Sequence, residues 1–150
     1  MTWISIAAGS NGIFFYAAYT LGQNSDVGFT AEWDVLSTVA TEVQQFAPML
    51  MAQPLPPPNT GAMPSWLMLR AHLVNASSCY VFAVSDGRGG GSVELKPSGL
   101  PASASISSVT VANTSPTRHV AVGIDGLSFT AQVELMAVVV YHVQLQTAQP

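Results

Sequence analysis

The second half of the chain alternates between short apolar runs and small polar residues. Seven runs rich in β-branched and aromatic residues are separated by Gly, Asn, Ser and Pro at roughly 8–12-residue spacing, which is typical of an antiparallel sandwich or barrel. We therefore predict a mainly β chain with a C-terminal antiparallel β-sandwich of about seven or eight strands. The runs cover residues 65–75, 78–86, 91–98, 105–113, 118–126, 127–135 and 137–146.

The first 50 residues follow a different pattern. "TWISIAAG" (residues 2–9) fits the end of a helix, and "GIFFYAAY" (residues 12–19) is a short continuous apolar run. Such a run suits a strand that is buried on both faces, as in parallel sheets covered by helices. A helical pattern follows over residues 28–50, so the order of elements is helix–strand–helix.

The helix over residues 28–50 has the clearest pattern in the chain. Thr30 is a candidate N-cap, Glu32 and Asp34 suit the positive end of the helix dipole, and Pro48 is expected to end the helix. Apolar residues at three- and four-residue spacing form one stripe, which consists of Trp33, Leu36, Val39, Ala40, Val43 and Phe46.

A Pro-rich run, "AQPLPPPNTGAMP" (residues 52–64), separates the two patterns. Proline lacks a backbone donor and disfavours helix at the preceding residue, so this run is predicted to be an extended linker. We predict a partial α/β segment over residues 1–52, a linker over 53–63 and a β-sandwich domain over 64–150. A Gly-rich run at residues 85–92, "SDGRGGGS", predicts a turn with hairpin chemistry.

Charge excludes several classes of partner. Only 8% of the residues are charged, the formal net charge is −4, and the four basic residues are scattered. Binding to nucleic acid or to anionic lipid needs clustered basic residues, so we expect neither. No apolar stretch reaches the 18 residues of a membrane span, and no basic residue precedes Arg70, so the opening stretch matches neither an anchor nor a secretory signal. The sequence assigns no localisation.

The order of these parts resembles the C-terminal end of a (β/α)₈-barrel glycoside hydrolase that carries a C-terminal β domain. Residues 7–21 are similar to the last barrel strand of such enzymes, and residues 32–51, with their apolar-Ala-Pro-apolar ending, are similar to the helix that follows. Residues 69–84 resemble a strand pair of the β domain, and residues 126–145 resemble its closing hairpin. Glu134-Leu135-Met136 departs from the Pro or Gly turn expected before the closing strand, and most of the barrel is absent.

The resemblance implies a chain without a complete catalytic site. Glycosidases need two carboxylates, which barrel enzymes place at the C-terminal ends of several strands. Only Asp26 lies in the loop after the barrel-like strand, where it is either a solvated loop acid or a substrate hydrogen bonder. Tyr16 and Tyr19 lie at the end of that strand, either as core aromatics or as rings that contact a sugar. We expect no catalytic residue, no activity of the chain alone and no cofactor.

Other candidate residues lie in the β-rich half. Cys79 is expected to be a small buried hydrophobe rather than a reactive thiol. The histidines are His72, His119 and His142; they either stand separately on strands or converge on a metal, and we expect no metal site. A sugar-binding sandwich would use Trp66, Tyr80 and Tyr141, although their alternating strands favour burial.

Three functions follow from these patterns. The chain is expected to be the non-catalytic C-terminal part of a glycoside hydrolase-like protein, whose β domain packs on a barrel. It is alternatively a carbohydrate-binding module or a protein-interaction module. The corresponding partners are carbohydrate, the missing barrel polypeptide or a second copy of the chain.

Overall fold

The computed structural model describes residues 28–113 and 118–147, and within these ranges the chain forms one α-helix and eight β-strands. The elements in chain order are α1 (Gly28–Leu50), β1 (Gln53–Leu55), β2 (Leu67–Asn75), β3 (Ser78–Ser85), β4 (Gly91–Leu95), β5 (Ala104–Val111), β6 (Arg118–Val120), β7 (Phe129–Val133) and β8 (Val138–Thr147).

Six strands form one antiparallel sheet in the order β1-β2-β3-β8-β5-β6. β2 and β3 are joined by a tight turn in which Asn75 pairs with Ser78. The last strand, β8, lies between β3 and β5, so the centre of the sheet depends on contacts between distant parts of the chain. Each of the seven apolar runs contributes one strand, which confirms the prediction of a mainly β, antiparallel chain.

A second sheet pairs β4 with β7 and packs on one face of the larger sheet, which we call the inner face. The main hydrophobic core lies between them and joins side chains of both sheets, such as Leu95, Phe129, Val81 and Val143. Phe129 of the small sheet contacts the ring of Tyr141 on β8, with ring centroids 5.2 Å apart. The core is therefore formed by apolar side chains that alternate with outward-facing ones along each strand.

The C-terminal half of α1 packs on the opposite, outer face of the large sheet. Phe46 is buried against Phe82 of β3, in an edge-to-face contact with ring centroids 6.0 Å apart. Val84 and Val140 complete this second cluster, which we call the helix–sheet cluster. Trp33, which begins the predicted apolar stripe near the N-terminus of the helix, is 51% exposed. The stripe thus lies in the core only over its C-terminal half.

Both predicted ends of this helix need correction. The helix begins at Gly28, so Thr30 lies within its first turn instead of capping it, and that turn holds no acidic residue. Pro48 lies inside the helix, which continues to Leu50. Pro48 lacks the N–H that would donate to the carbonyl O of Gln44, and the helix nevertheless continues for two residues beyond it.

The Pro-rich run contributes a short edge strand. β1 pairs only with β2 in the described part of the chain, and Pro54 lies opposite His72. Proline is tolerated on an edge strand because one side of the strand needs no donor. The sequence correctly excluded a helix and a central strand here, but it did not predict that the run pairs with the sheet.

The Gly-rich run is a crossover between the sheets, which corrects the prediction of a hairpin turn. β3 pairs with β2 and β8, whereas β4, on the other side of the run, pairs with β7. A Cβ on Gly89 would lie 2.5 Å from the Trp66 indole, and a Cβ on Gly90 would lie 2.8 Å from the backbone N of Leu135. These glycines are needed because other groups approach their backbone closely.

The connection from β7 to β8 is also a crossover. The two strands belong to different sheets, so residues 126–145 do not form the closing hairpin suggested by the resemblance. Ser85 links the two crossovers: its hydroxyl donates to the carbonyl O of Gly89 (2.6 Å) and accepts from the backbone N of Met136 (3.3 Å).

The predicted barrel-like strand, at residues 12–19, lies outside the described residues. Among the residues that are described, no helix has both the length and the hydropathy needed to cross a bilayer.

Candidate functional site

The three residues predicted at a sugar site, Tyr16, Tyr19 and Asp26, lie outside the described residues. Their roles stay predictions from the sequence. The geometry of the β domain bears on the other candidates.

The aromatic candidates for sugar binding do not form one surface. Tyr141 is buried on the inner face, where its hydroxyl donates to the carbonyl O of Gln132 (2.9 Å) and burial raises its pKa. Trp66 is half-buried against the main core, with its indole over Gly89. Tyr80 lies on the outer face, because it alternates with the inward-facing Cys79 and Val81. These rings therefore cannot stack on one sugar chain.

All three histidines lie in one row across the outer face. The strand registers place His72 opposite Tyr80, Tyr80 opposite His142, His142 opposite Thr110, and Thr110 opposite His119. We call these five residues the histidine row. It crosses β2, β3, β8, β5 and β6, beside the helix–sheet cluster. The sequence placed each histidine on a strand, but only the strand registers reveal that the three share a row.

The rings in the middle of this row stack on one another. The rings of Tyr80 and His142 have centroids 4.6 Å apart and lie within 13° of parallel. One face of the Tyr80 ring is therefore covered by His142. A sugar that stacks needs a free, flat ring face, and within this pair each ring has one face occupied by the other.

A polar patch adjoins the row on β3, β5 and β8. The Ser78 hydroxyl lies 2.9 Å from Nε2 of His142, and the Ser108 hydroxyl donates to Oε1 of Gln144 (2.8 Å). Burial lowers the pKa of His142, which favours its neutral form. We call Ser78, Ser108, His142 and Gln144 the polar patch. Its hydroxyl, amide and imidazole groups can exchange hydrogen bonds with a polyhydroxylated ligand.

The serine–histidine pair in this patch lacks the rest of a catalytic triad. An activated serine needs a base that a third group holds in the correct tautomer. Among the described residues, the hydrogen-bond partner of the His142 ring is Ser78, and no third group completes this pair. The arrangement therefore serves hydrogen bonding better than nucleophilic catalysis.

His72, at the other end of the stacked rings, is 1% exposed. Its Nδ1 lies 3.2 Å from the carbonyl O of Ala52, and its Nε2 accepts a hydrogen bond from Nε of Arg70 (2.9 Å). Burial lowers the pKa of His72, and the Arg70 charge adds to this, against the opposing effect of the Ala52 carbonyl. Burial and the neighbouring Arg70 thus favour the neutral ring, and two hydrogen bonds hold it in place.

A cleft of about 400 Å³ lies between β6 and β7. Its floor includes Val111 and Tyr141, and its rim includes Arg118, Gln132 and Glu134. Beside the cleft, an isolated bridge joins Val122, which follows β6, to Phe129 of β7. The cleft marks the place where the edges of the two sheets separate.

The remaining candidates are the thiol of Cys79 and a metal site formed by the histidines. Cys79 is buried, and burial raises its pKa to about 12, so the thiol stays protonated at neutral pH, as expected for a small core residue. Within the described ranges, no three His, Cys, Asp or Glu side chains are close enough to hold a metal ion. The three imidazoles lie on β2, β8 and β6, with one other strand between each pair of neighbours, which explains why they do not converge.

Comparison of the chain with protein-family models, with curated proteins and with solved structures finds no match.

Proposed function

We propose that this chain is the non-catalytic C-terminal part of a glycoside hydrolase-like protein, in which a β-sandwich accessory domain packs on a (β/α)₈ barrel. The two sheets, with the core between them, would be that sandwich, and α1 would be the last helix of the barrel. The proposal is supported by the resemblance of residues 7–21, 32–51 and 69–84, and by the position of α1.

The position of α1 is the observation that carries the proposal. Its C-terminal half is buried on the sheet through Phe46, whereas Trp33 and Val35, nearer its N-terminus, are 51% and 63% exposed. Two residues separate the end of the helix from β1. A helix that belongs to a barrel and also carries an accessory domain would pack on the domain with one half and on the barrel with the other. A short and stiff connection would join it to the domain.

Sequencing the full transcript that encodes this chain tests its origin. We expect an open frame with seven further βα units and two carboxylates at strand ends, which is the arrangement that barrel glycosidases require. A transcript without such units would contradict the proposal. Hydrolysis of chromogenic glycosides by the purified chain, above the rate of a buffer control, would contradict the non-catalytic role.

The exposed half of α1 provides a second test. Apolar surface that a barrel should cover promotes association when it is exposed. Light scattering after size exclusion should detect association of the chain, and Val35→Glu should weaken it. Glu42→Gln, a change at an exposed site on the same helix, should leave it unchanged. A strictly monomeric chain, or equal effects of both variants, would argue against this use of the helix.

Carbohydrate binding is a second candidate, favoured by the polar patch. Its hydroxyl and amide groups lie on the outer face, and Gln144 is exposed. Affinity electrophoresis in gels that contain soluble polysaccharides should show retardation of the chain, and Gln144→Ala should reduce it. Gln132→Ala, an exposed site on β7, is the matched control. Equal mobility with and without every polysaccharide would reject this candidate.

A further inference from the structure

His72 joins three parts of the fold at one buried point. It lies on β2, opposite Pro54 of β1 and Tyr80 of β3. Its hydrogen bond to Ala52 reaches the segment between α1 and β1. Its ring also contacts Phe82 edge-on, with centroids 6.0 Å apart, and Phe82 in turn contacts Phe46 of the helix.

The partners of His72 specify one protonation state. The Ala52 carbonyl can only accept, so Nδ1 must carry the hydrogen. Nε of Arg70 can only donate, so Nε2 must present its lone pair. The ring is therefore neutral, with its hydrogen on Nδ1. A second proton on Nε2 would abolish the hydrogen bond from Arg70 and place two cations in contact within a buried site.

We propose that His72 is an acid-sensitive latch: while neutral it holds the end of α1 and the edge strand β1 on the sheet, and protonation of its imidazole releases them. The released parts would be the C-terminal turns of α1, residues 51–52 and β1. The rest of the sheet would stay paired, because β2, β3, β8 and β5 retain their own ladders.

The charged and titratable groups around His72 support this assignment. Arg70 on its own strand repels the imidazolium, and Tyr80 on β3 stays neutral because burial raises its pKa. β1 has no titratable side chain. The described carboxylates of α1, Asp34 and Glu42, are exposed, and neither is among the causes of the His72 shift.

The direction of the pH effect follows from the lowered pKa. The native state binds the proton more weakly than the unfolded chain, whose histidine has a pKa of 6.5. The latch is therefore fully closed above pH 6.5 and weakens as the pH falls below that value. Because one proton is bound, the opening equilibrium rises by up to about tenfold per pH unit once the pH is below the unfolded pKa.

Hydrogen exchange of the full chain, followed by mass spectrometry between pH 7 and pH 4, tests the latch. We expect protection of residues 43–55 to fall with the one-proton slope, after correction for intrinsic exchange, while β3 and β8 keep theirs. His72→Gln should remove the slope. His119→Gln, which changes the exposed histidine of the same row, should preserve it.

An NMR titration of the wild-type imidazoles decides the matter even if His72→Gln does not fold. The nitrogen shifts should report the Nδ1–H form of His72 at pH 7, and its protonation should coincide with the loss of protection over residues 43–55. A Nε2–H form, or protonation that leaves this protection unchanged, would overturn the proposal. An unchanged slope in a folded His72→Gln variant would do the same.

Discussion

The attachment of α1 to the sheet depends on Phe46, so truncating this side chain should destabilise the protein strongly. Phe46 is 6% exposed and contacts Phe82 edge-on at 6.0 Å. Burying a phenylalanine contributes about 1.5–3 kcal/mol, and an edge-to-face pair adds about 0.5–1.5 kcal/mol. Phe46→Ala also leaves a cavity, so we expect a loss of about 3–5 kcal/mol in the free energy of unfolding.

Urea unfolding followed by circular dichroism measures this loss. Val35→Ala, at a 63% exposed position on the same helix, is the matched control and should change stability by less than about 0.5 kcal/mol. Phe46→Leu retains most of the buried volume and should fall between the two variants. A loss below about 1 kcal/mol for Phe46→Ala, or one equal to that of Val35→Ala, would refute the packing of the helix described above.

The strands were predictable because their patterns are local. Alternation along residues 127–135 and Asn75 at a tight turn mark strands and their ends without any knowledge of the partners. The turn between β2 and β3 does not fix the register of the whole pair, because an irregularity between Leu73 and Asn75 shifts the pairing by one residue and brings His72 opposite Tyr80. The position of His72 opposite Tyr80 therefore could not be predicted from the turn alone.

The arrangement of the strands was not predictable in the same way. β8 pairs with β3 and β5, whose residues are distant in sequence, and nothing in a strand's own pattern names its partners. The alternating pattern is also weak in β3, because α1 covers its outer face and residues 81–85 are buried on both faces. The position of His142 beside Tyr80, and hence the polar patch, follows only from this pairing.

The Gly-rich run illustrates how one composition serves two structures. A hairpin and a crossover both need glycines, so "SDGRGGGS" could not distinguish them. The crossover needs glycine because the Trp66 indole lies against Gly89, and a Cβ there would lie 2.5 Å from the ring. Trp66 lies 23 residues earlier in the chain, so no local rule reveals the contact.

The contact between α1 and the sheet also bears on the choice between an accessory domain and an independent binding module. An independent module should fold with its own core intact when the helix is displaced. The main core lies between the two sheets and contains no residue of α1, so it should survive such displacement. The helix–sheet cluster, in contrast, would expose Phe82 and Val140, which are fully buried. The association of helix and sheet therefore keeps the outer face of the sheet covered at these two residues.

Three further predictions concern single side chains. Ser85→Ala should lower the free energy of unfolding by about 1–3 kcal/mol in urea titrations, because the buried Ser85 hydroxyl bonds both Gly89 and Met136. An equal effect of Ser92→Ala, at an exposed site, would contradict this. Cys79, whose pKa burial raises to about 12, should resist a thiol reagent at pH 8 until urea unfolds the chain, and rapid labelling of the native protein would refute its burial. The backbone N–H of Leu127 donates to the Asp125 carboxylate and lowers its pKa below the ordinary 3.8, and the hydroxyl and backbone N–H of Ser128 add to this effect. The stability that the ionised Asp125 contributes is therefore present above pH 3.8 and is lost as the pH falls through the lowered pKa. Thermal melts of Asp125→Ala and wild type should converge at low pH. A constant difference between them would show that the charge of Asp125 contributes nothing.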